Sequence, residues 1–196
     1  MFDLYDSACD DRWRYVLGRS GTRPLFVIGL NPSTATREKA DTTVAKVERV
    51  AYRHGYDGFL MLNLYPVRAT DCRTLSGDPH PQAFQENLDW IEHLLAPART
   101  PAVWAAWGSG ILVHDYFRRA AHELDRRLAR CTVTWLHFGP LTKAGHPRHP
   151  SRLSYAWRFA AFDYGGYLCG LDHEKGSGGQ SAKPRSGLQS RRRGSQ

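Results

Sequence analysis

The sequence predicts an α/β fold of three layers, α/β/α, with a four-stranded parallel sheet between two layers of helices. Two patterns in its 196 residues lead to this prediction. Short, continuous apolar runs are typical of strands that are buried on both faces, as the strands of a parallel sheet are. These runs alternate with longer segments whose apolar residues recur at helical spacing, which is typical of a sheet covered by helices on both sides.

The predicted strands are four apolar runs, Pro24–Leu30, Gly58–Leu64, Ala102–Trp107 and Cys131–Phe138. Three helices are predicted between them, over residues 42–54, 82–95 and 111–129. The first follows Asp41, a candidate N-cap because its carboxylate can accept hydrogen bonds from the backbone of the first helical turn. Gly55 is predicted to end that helix, since glycine readily takes the left-handed conformation that follows a last turn.

Composition divides the chain into one predicted domain and a tail. Residues 1–173 form the single α/β domain, because they contain all the predicted strands and helices. Residues 174–196 are predicted to be disordered, since a segment so rich in Gly, Ser and basic residues cannot offset the entropy of ordering. The tail carries +5 of the formal charge of +8, through six Lys or Arg against one Glu. Such charge suits a polyanion, and an incidental extension is the alternative.

No membrane segment, cofactor motif or metal site is apparent in the sequence. The N-terminus lacks the features of a signal peptide, and no apolar stretch reaches the ~18 residues expected of a membrane helix. The four cysteines form no CxxC pair, and the neighbouring His146 and His149 have no evident third ligand. We therefore expect a monomeric cytoplasmic protein with no metal and no other cofactor.

Polar residues follow each of the predicted strands. In an open parallel sheet, ligands bind beyond the carboxyl ends of the strands, so a site is expected among these four segments. The segments are Gly29–Thr34, Asn63–Arg68, Trp107–Gly110 and Gly145–Leu153.

Two asparagines stand at strand ends. Asn31 lies between the first strand and Pro32, whose ring restricts the preceding backbone to extended conformations. Its amide could orient a water molecule or hold a base edge, and an ordinary Asn-Pro turn is the alternative. Asn63 ends a strand that is otherwise apolar. Its amide therefore needs a backbone group, a water or a ligand as partner.

The segment after the fourth strand combines several groups that suit a nucleic acid. His149 can donate a hydrogen bond to a developing anion, and Ser151 can contact a phosphate. Arg148 and Arg152 add positive charge on either side, and Leu153 adds an apolar side chain. This composition suits a loop that presses against a nucleic-acid backbone.

GLNPS after the first strand and HPSRLS after the fourth resemble two signature motifs of the uracil-DNA glycosylase superfamily, approximately G-[IM]-N-P-G and H-P-S-P-L-S. Over residues 12–155 the chain also resembles a bacterial family known as domain of unknown function 1643. The residues that carry this second resemblance are WRYVLGR, FVIGLNPSTAT, ADTTV, NLYPVRAT, AWGSG and TKAGHPRHPS. Together these resemblances imply a glycosylase-like fold whose base-binding cleft is formed by Gly29–Ser33, Leu62–Asn63 and His149–Leu153.

The resemblance also implies roles for individual residues. Asn31 corresponds to the residue that positions the attacking water, and Asn63 to one that reads a base edge. His149 corresponds to the histidine that stabilises the departing anion, and Leu153 lies near the leucine that wedges into the DNA helix. Asp41 is a second candidate for polarising the water, besides its expected place as N-cap.

Aromatic rings at two strand ends are candidate platforms for stacking a base, although either ring could instead close the core. These are Tyr65 and Trp107. The complete set of predicted substrate-binding residues is Gly29, Leu30, Pro32, Ser33, Asn63, Tyr65, Trp107, Ser151, Arg152 and Leu153.

Three functions fit these features. The first is a DNA glycosylase that flips out a damaged or modified base and hydrolyses its N-glycosidic bond. The second is a module that binds a nucleobase, a nucleotide or modified DNA without chemistry. Ser33 in place of glycine and Arg152 in place of proline favour it, because small changes around a site reduce rate before they reduce binding. The third is another base-modifying reaction on the same fold. The chain has no G-x-S-x-G element and no glycine-rich phosphate loop.

Overall fold

A single seven-stranded mixed sheet forms the centre of the protein in this computed structural model, which describes residues 1–174. Its strands are β1 Leu4–Ala8, β2 Trp13–Arg19, β3 Pro24–Gly29, β4 Gly58–Asn63, β5 Ala102–Ala105, β6 Thr134–Phe138 and β7 Phe159–Ala161. Their order across the sheet is β1-β2-β4-β3-β5-β6-β7. The neighbours from β4 to β6 pair in parallel, and β1, β2 and β7 pair antiparallel with theirs.

The sheet therefore has seven strands, and the prediction of four was wrong. The four apolar runs are its adjacent strands β4, β3, β5 and β6, because only strands covered on both faces give continuous apolar runs. The residues of β1 are all half-buried, and β7 has three residues, so neither has a strong sequence pattern. β2 is buried over all but its last residue. The buried Arg14 interrupts its apolar run and obscured the pattern.

In the part of the chain that the structure describes, four α-helices accompany the sheet: α1 Thr42–Arg53, α2 Pro81–Leu95, α3 Asp115–Arg127 and α4 Tyr164–Glu174. The prediction for α3 began four residues too early, because residues 108–112 form a separate 3₁₀ turn and Leu112 is 38% exposed. α4 was not predicted at all. Its three glycines have poor helix propensity, and its apolar residues form no clear stripe.

Alternate residues of the strands face two separate cores. In β3, Leu25 and Val27 pack in one core with Val44 and Val47 of α1. Ile28 and its alternate neighbours pack in the other core with residues of α2, α3 and α4. Helices therefore cover both faces of the sheet, and all the carboxyl ends of β3, β4, β5 and β6 meet at one edge.

The end of α4 lies close to the predicted domain boundary. Glu174, the first residue of the predicted tail, is the last residue of α4. The rest of that tail lies outside the described residues. Within residues 1–174, no helix combines the length and the apolar character needed to cross a membrane.

Gly18 in β2 has no room for a side chain against the backbone of β4, which makes it a sensitive position for stability. A Cβ at this position would lie 2.0 Å from the carbonyl oxygen of Phe59 in β4. We expect Gly18→Ala to lower the free energy of unfolding by about 3 kcal/mol, because the rigid strand pair must move apart. Urea denaturation measures the change.

The matched control is Gly170→Ala in α4. Among the described residues, leaving aside its two chain neighbours, no atom outside the helix's own backbone lies within 4 Å of the added Cβ. The better helix propensity of alanine should raise the free energy of unfolding by about 0.5–1 kcal/mol. Equal effects of the two substitutions would contradict this account of the packing between β2 and β4.

Candidate functional site

A cleft of about 590 Å³ lies at the edge where the parallel strands end. It is bounded by the segments that follow β3, β4, β5 and β6. Its lining residues are Leu30, Asn31, Thr70, Asp71, Cys72, Arg73, Trp107, Ser109, Gly110, Thr142, Arg148, His149, Ser151 and Arg152. The volume is within the range of about 300–1,000 Å³ that is common for small-molecule sites.

Six of the predicted site residues line this cleft: Leu30, Asn31, Trp107, His149, Ser151 and Arg152. The other seven do not line it: Gly29, Pro32, Ser33, Asp41, Asn63, Tyr65 and Leu153. The structure thus brings together the segments after β3, β5 and β6, and leaves the predicted residues of β4 behind the wall of the cleft.

Asn31 is held by its amide nitrogen. Nδ2 donates to the carbonyl oxygen of Ala69 at 2.8 Å and to that of Pro32 at 3.0 Å. The backbone N–H of Ala69 in turn donates to the Pro32 oxygen at 2.9 Å. With the NH₂ group engaged, the side-chain oxygen is the atom that Asn31 can offer to a ligand as an acceptor.

The loop that contains Asn31 is fixed from below by Arg68. Its Nη1 donates to the carbonyl oxygens of Ser33 at 2.7 Å and Ala35 at 2.8 Å. Its Nε and Nη2 donate to the backbone oxygen and carboxylate of Asp11, at 2.7 and 2.9 Å. One planar guanidinium thus joins the β1–β2 turn, the loop after β3 and the segment after β4.

Arg14 of β2 reinforces this arrangement. It is 2% exposed, and its Nη1 donates to the Ala35 oxygen at 3.0 Å. Burial, together with the positive charge of the adjacent Arg68, lowers the pKa of Arg14 to about 10. Arg14 still remains charged at neutral pH. The Asp41 carboxylate raises its pKa in part, so the two arginines and this acid form one electrostatic group.

Asp41 has a structural place in that group. One carboxylate oxygen accepts from the backbone N–H of Val44 at 2.8 Å, which makes Asp41 the N-cap of α1. The other oxygen accepts from the backbone N–H of Ala35 at 3.3 Å. The two carboxylate oxygens therefore hold the loop after β3 and the start of α1. This structural role is the alternative to a role of Asp41 in polarising water.

His149 has a defined tautomer. It is the N-cap of a 3₁₀ turn over Pro150–Arg152, and its Nδ1 accepts from the backbone N–H of Ser151 at 3.2 Å. A backbone N–H can only donate, so Nδ1 carries no proton and the neutral ring holds its proton on Nε2. The hydroxyl of Ser151 lies 2.9 Å from the same Nδ1 and can donate to it as well.

Burial keeps this imidazole neutral. It lowers the pKa of His149 below its ordinary value of 6.5, and the positive charges of Arg152 and Lys46 lower it further. The carboxylate of Asp41 opposes the shift. At neutral pH His149 is therefore a neutral donor through Nε2–H.

Two glycines after β5 let the walls of the cleft approach each other. A Cβ at Gly108, whose φ is +67°, would lie 3.0 Å from the Cβ of His149. A Cβ at Gly110 would lie 2.5 Å from Cδ2 of Leu30. The AWGSG segment thus positions the His149 turn against β5, and any side chain at Gly108 would displace it.

The two predicted stacking platforms are core residues to a large extent. Trp107 is 1% exposed, and its Nε1 donates to the hydroxyl of Tyr167 in α4 at 3.0 Å. Tyr65 is 4% exposed, and its hydroxyl accepts from the backbone N–H of His80. Trp107 lines the cleft although it is almost fully buried, and Tyr65 does not line it.

Asn63 lies inside the protein. Its side chain is fully buried, and neither of its amide atoms has a hydrogen-bond partner among the described residues. Its carbonyl oxygen accepts from Nδ2 of Asn87 in α2 at 2.9 Å. Gly29 lies directly beside it, since a Cβ there would be 2.8 Å from Asn63 Oδ1. Asn63 is therefore not part of the cleft lining in this structure.

Residues 70–73 and Thr142 line the cleft and lie outside the four predicted site segments. Ser109, Gly110 and Arg148 also line it, and they lie within those segments but not in the set of predicted substrate-binding residues. Residues 70–73 begin seven residues after β4, too far from the strand for the strand-end rule to find them. Arg73 in this segment is paired with the Asp71 carboxylate at 2.7 Å. Arg148 and Arg152 have no ion-pair partner among the described residues, so the cleft carries net positive charge.

Fold and cleft define an α/β protein with a positively charged cleft at the carboxyl ends of its parallel strands. Residues 14–151 match the family described as "Protein of unknown function (DUF1643)". The chain belongs to this family, which confirms one of the two resemblances. Neither the curated proteins nor the solved structures contain a match to the chain. Among residues 1–174, no group of three or more His, Cys, Asp or Glu side chains could hold a metal ion.

The state of His149 can be measured directly. We expect its imidazole to titrate below pH 6.5 and to show the Nε2–H tautomer above its midpoint, because burial disfavours the cation and Ser151 N–H occupies Nδ1. ¹⁵N NMR of the ring nitrogens checks both. Since the folded pKa is the lower one, the stability from neutral His149 is present above about pH 6.5 and is lost as pH falls through the folded pKa. A midpoint above 6.5 would contradict the assignment.

Removal of the Arg68 side chain, which joins three segments, should destabilise the whole protein. We expect Arg68→Ala to lower the free energy of unfolding by about 3 kcal/mol, because the carbonyl oxygens of Ser33, Ala35 and Asp11 and the Asp11 carboxylate each lose a hydrogen bond from this guanidinium. The control is Arg126→Ala, whose exposed pair with Glu123 should contribute less than about 1 kcal/mol. Urea denaturation measures the change in the free energy of unfolding for both variants. An equally small change for Arg68→Ala would contradict the conclusion that Arg68 holds these three segments together.

Proposed function

We propose that this chain is a DNA glycosylase-like enzyme that hydrolyses the N-glycosidic bond of a damaged or modified base, on a fold of the uracil-DNA glycosylase type. One observation carries the proposal. Asn31 and His149, which follow different strands, line the same cleft, one with an acceptor oxygen and the other with a neutral Nε2–H donor.

The reaction needs these two groups in different places. As the bond to the base breaks, positive charge develops on the sugar and negative charge on the base. The Asn31 oxygen can accept a hydrogen bond from the attacking water and so direct the water's lone pair toward the sugar. The water's oxygen bonds to the sugar carbon as the bond to the base breaks, and the proton it loses goes through solvent to the departing base, which leaves neutral. His149 can donate through Nε2–H to an oxygen of the departing base. Such a fixed donor acts most strongly where charge develops only in the transition state.

A neutral donor suits this task. A positively charged His149 ring would be poorly solvated where it lies. Burial and the charge of Arg152 therefore lower the pKa of His149. The neutral ring keeps its orientation because Ser151 N–H holds Nδ1. With no proton on Nδ1, the donor of the neutral ring is Nε2–H.

The charge of the cleft fits the phosphates that flank a flipped nucleotide. Arg148 is oriented by a hydrogen bond from its Nε to the Pro140 oxygen at 2.8 Å, which leaves the other guanidinium nitrogens for a ligand. Arg152 is exposed at the opening. Extrusion of a base from the stack costs a few kcal/mol, and contacts to the flanking phosphates can offset part of it.

A binding module without chemistry is the second candidate function, and the acids of the cleft favour it. Asp71 is the lining carboxylate, and it is neutralised by two hydrogen-bonded nitrogens of Arg73. Asp41 is engaged by Val44 and Ala35. The water would then be polarised by an amide oxygen, which is a weaker base than a carboxylate.

An excision assay tests the proposal. Oligonucleotides that contain uracil, hydroxymethyluracil, hypoxanthine or natural modified bases are incubated with the protein, and abasic sites are scored by alkaline cleavage. We expect cleavage of at least one substrate, with single-turnover rates about 100-fold lower for Asn31→Ala and for His149→Gln, in the range seen when one such group is removed.

His93→Gln is the matched control, because His93 is exposed near the end of α2, on the other face of the sheet from the His149 turn. Its rate should equal that of the unchanged protein. The protein could instead cleave none of the substrates and still bind DNA in a base-dependent way that Asn31→Ala removes. That result would overturn the proposed enzyme activity in favour of the binding module.

A further inference from the structure

A positively charged surface continues from the cleft along α1. We call it the α1 basic surface, and it consists of Lys46, Arg49 and Arg53 of α1 and Arg148, Arg152 and Arg158 of the segment between β6 and β7. Arg148 and Arg152 belong to the cleft lining as well. The surface and the cleft are therefore continuous.

Helical spacing places the three α1 cations together. Positions 46, 49 and 53 recur at three and four residues, so they share one side of the helix. The opposite side is buried through Val44, Val47, Val50 and Ala51. The hydrophobic stripe of α1 therefore fixes the direction in which its cations point.

The segment after β6 packs onto this side of α1 and extends the charge. Lys46 Nζ donates to the Ser151 carbonyl oxygen at 2.5 Å. The guanidinium carbons of Arg49 and Arg53 lie 4.8 and 4.9 Å from the ring centre of Tyr155. The contacts with the Tyr155 ring and the hydrogen bond to the Ser151 carbonyl oxygen order these long side chains before any ligand binds. This order lowers the entropy cost of binding.

This charge is not used within the protein. None of the six cations forms an ion pair among the described residues, although arginines on α3 are neutralised by nearby acids. Glu48, the acid within α1, is paired with Arg19 of β2. The polar partners of Lys46, Arg148 and Arg158 are carbonyl oxygens, which do not cancel the charge.

Six unneutralised cations on two adjoining segments suit a ligand with regularly repeated negative charges. A phosphodiester backbone provides them, and release of its counterions drives the binding. We propose that the α1 basic surface binds the phosphate backbone of a DNA strand whose base enters the cleft. The entry of the base rests on the proposed function, whereas binding of the backbone can be measured without any cleavage.

The test is the salt dependence of DNA binding. The variant Lys46→Gln/Arg49→Gln/Arg53→Gln keeps most of each side-chain stem and removes three charges. Fluorescence anisotropy with a labelled single strand of 20 nucleotides and with its duplex, over a range of NaCl concentrations, measures affinity. For the single strand we expect an affinity about 100-fold lower near 0.1 M salt and a log–log slope smaller by about 2.

The matched control is Arg99→Gln/Arg119→Gln/Arg130→Gln. It removes the same charge from exposed positions on and beside α2 and α3, on the other face of the sheet. Screening leaves little long-range effect at this salt, so its affinity should change less than about 3-fold. Equal losses of affinity in the two variants would show a net-charge effect and overturn the proposal that the α1 basic surface binds DNA.

Arg152→Gln/Arg158→Gln is the second variant if the first does not fold. It should lower the slope of log affinity against log salt by about 1.

The remaining outcomes separate the two proposals. Weaker binding of the triple variant, together with no excision by the unchanged protein, supports the surface and counts against the enzyme. Excision by the unchanged protein, together with unchanged DNA binding by the triple variant, supports the proposed enzyme activity and overturns the proposal that the α1 basic surface binds DNA. Preference for the duplex over the single strand identifies the form of DNA that is bound. Binding to phosphatidylserine vesicles but not to DNA, lost in the triple variant, would overturn DNA as the partner.

Discussion

Arg68 joins three parts of the chain that lie far apart in sequence, and the geometry of the cleft depends on it. Its five-donor guanidinium reaches the turn before β2 and two carbonyl oxygens of the loop after β3. The same loop presents Asn31, whose amide is tied to Ala69, the residue after Arg68. The side chain and the backbone of one short segment thus fix the acceptor oxygen that the proposed reaction uses.

The opposite wall of the cleft is built in another way. Ser151 N–H fixes the tautomer of His149, and the lack of a side chain at Gly108 allows the turn to sit against the end of β5. Lys46 then holds the turn onto α1. Because α1 begins at the Asp41 cap, which also accepts from Ala35, the two walls are linked through one short loop.

This link has a consequence for the proposed function. The α1 basic surface and the catalytic candidates rest on the same elements, so contacts between α1 and a DNA strand would bear directly on the His149 turn. The cations would hold the backbone, while Asn31 and His149 would meet only the base and the sugar. Affinity and chemistry would then depend on different side chains, which is why the experiments above can separate them.

Prediction from the sequence succeeded where burial is uniform and failed where partners are distant. The strands β3, β4, β5 and β6 were evident, since both of their faces are covered. Arg14 and Arg68 carried no local signal, because their role lies in carbonyl oxygens more than 20 residues away. Asn63 was predicted to read a base from its place at a strand end, but the direction of its side chain depends on the pleat and on Gly29.

The sequence by itself determined the central strands, the capped helix α1 and the two motifs that supply Asn31 and His149, because these depend on local spacing and on residue type. Only the tertiary structure decided the outer strands, the direction of Asn63, the structural engagement of Asp41 and the membership of residues 70–73 in the cleft. Each of these follows from contacts between segments that are distant along the chain, and such contacts leave no periodic pattern in either segment.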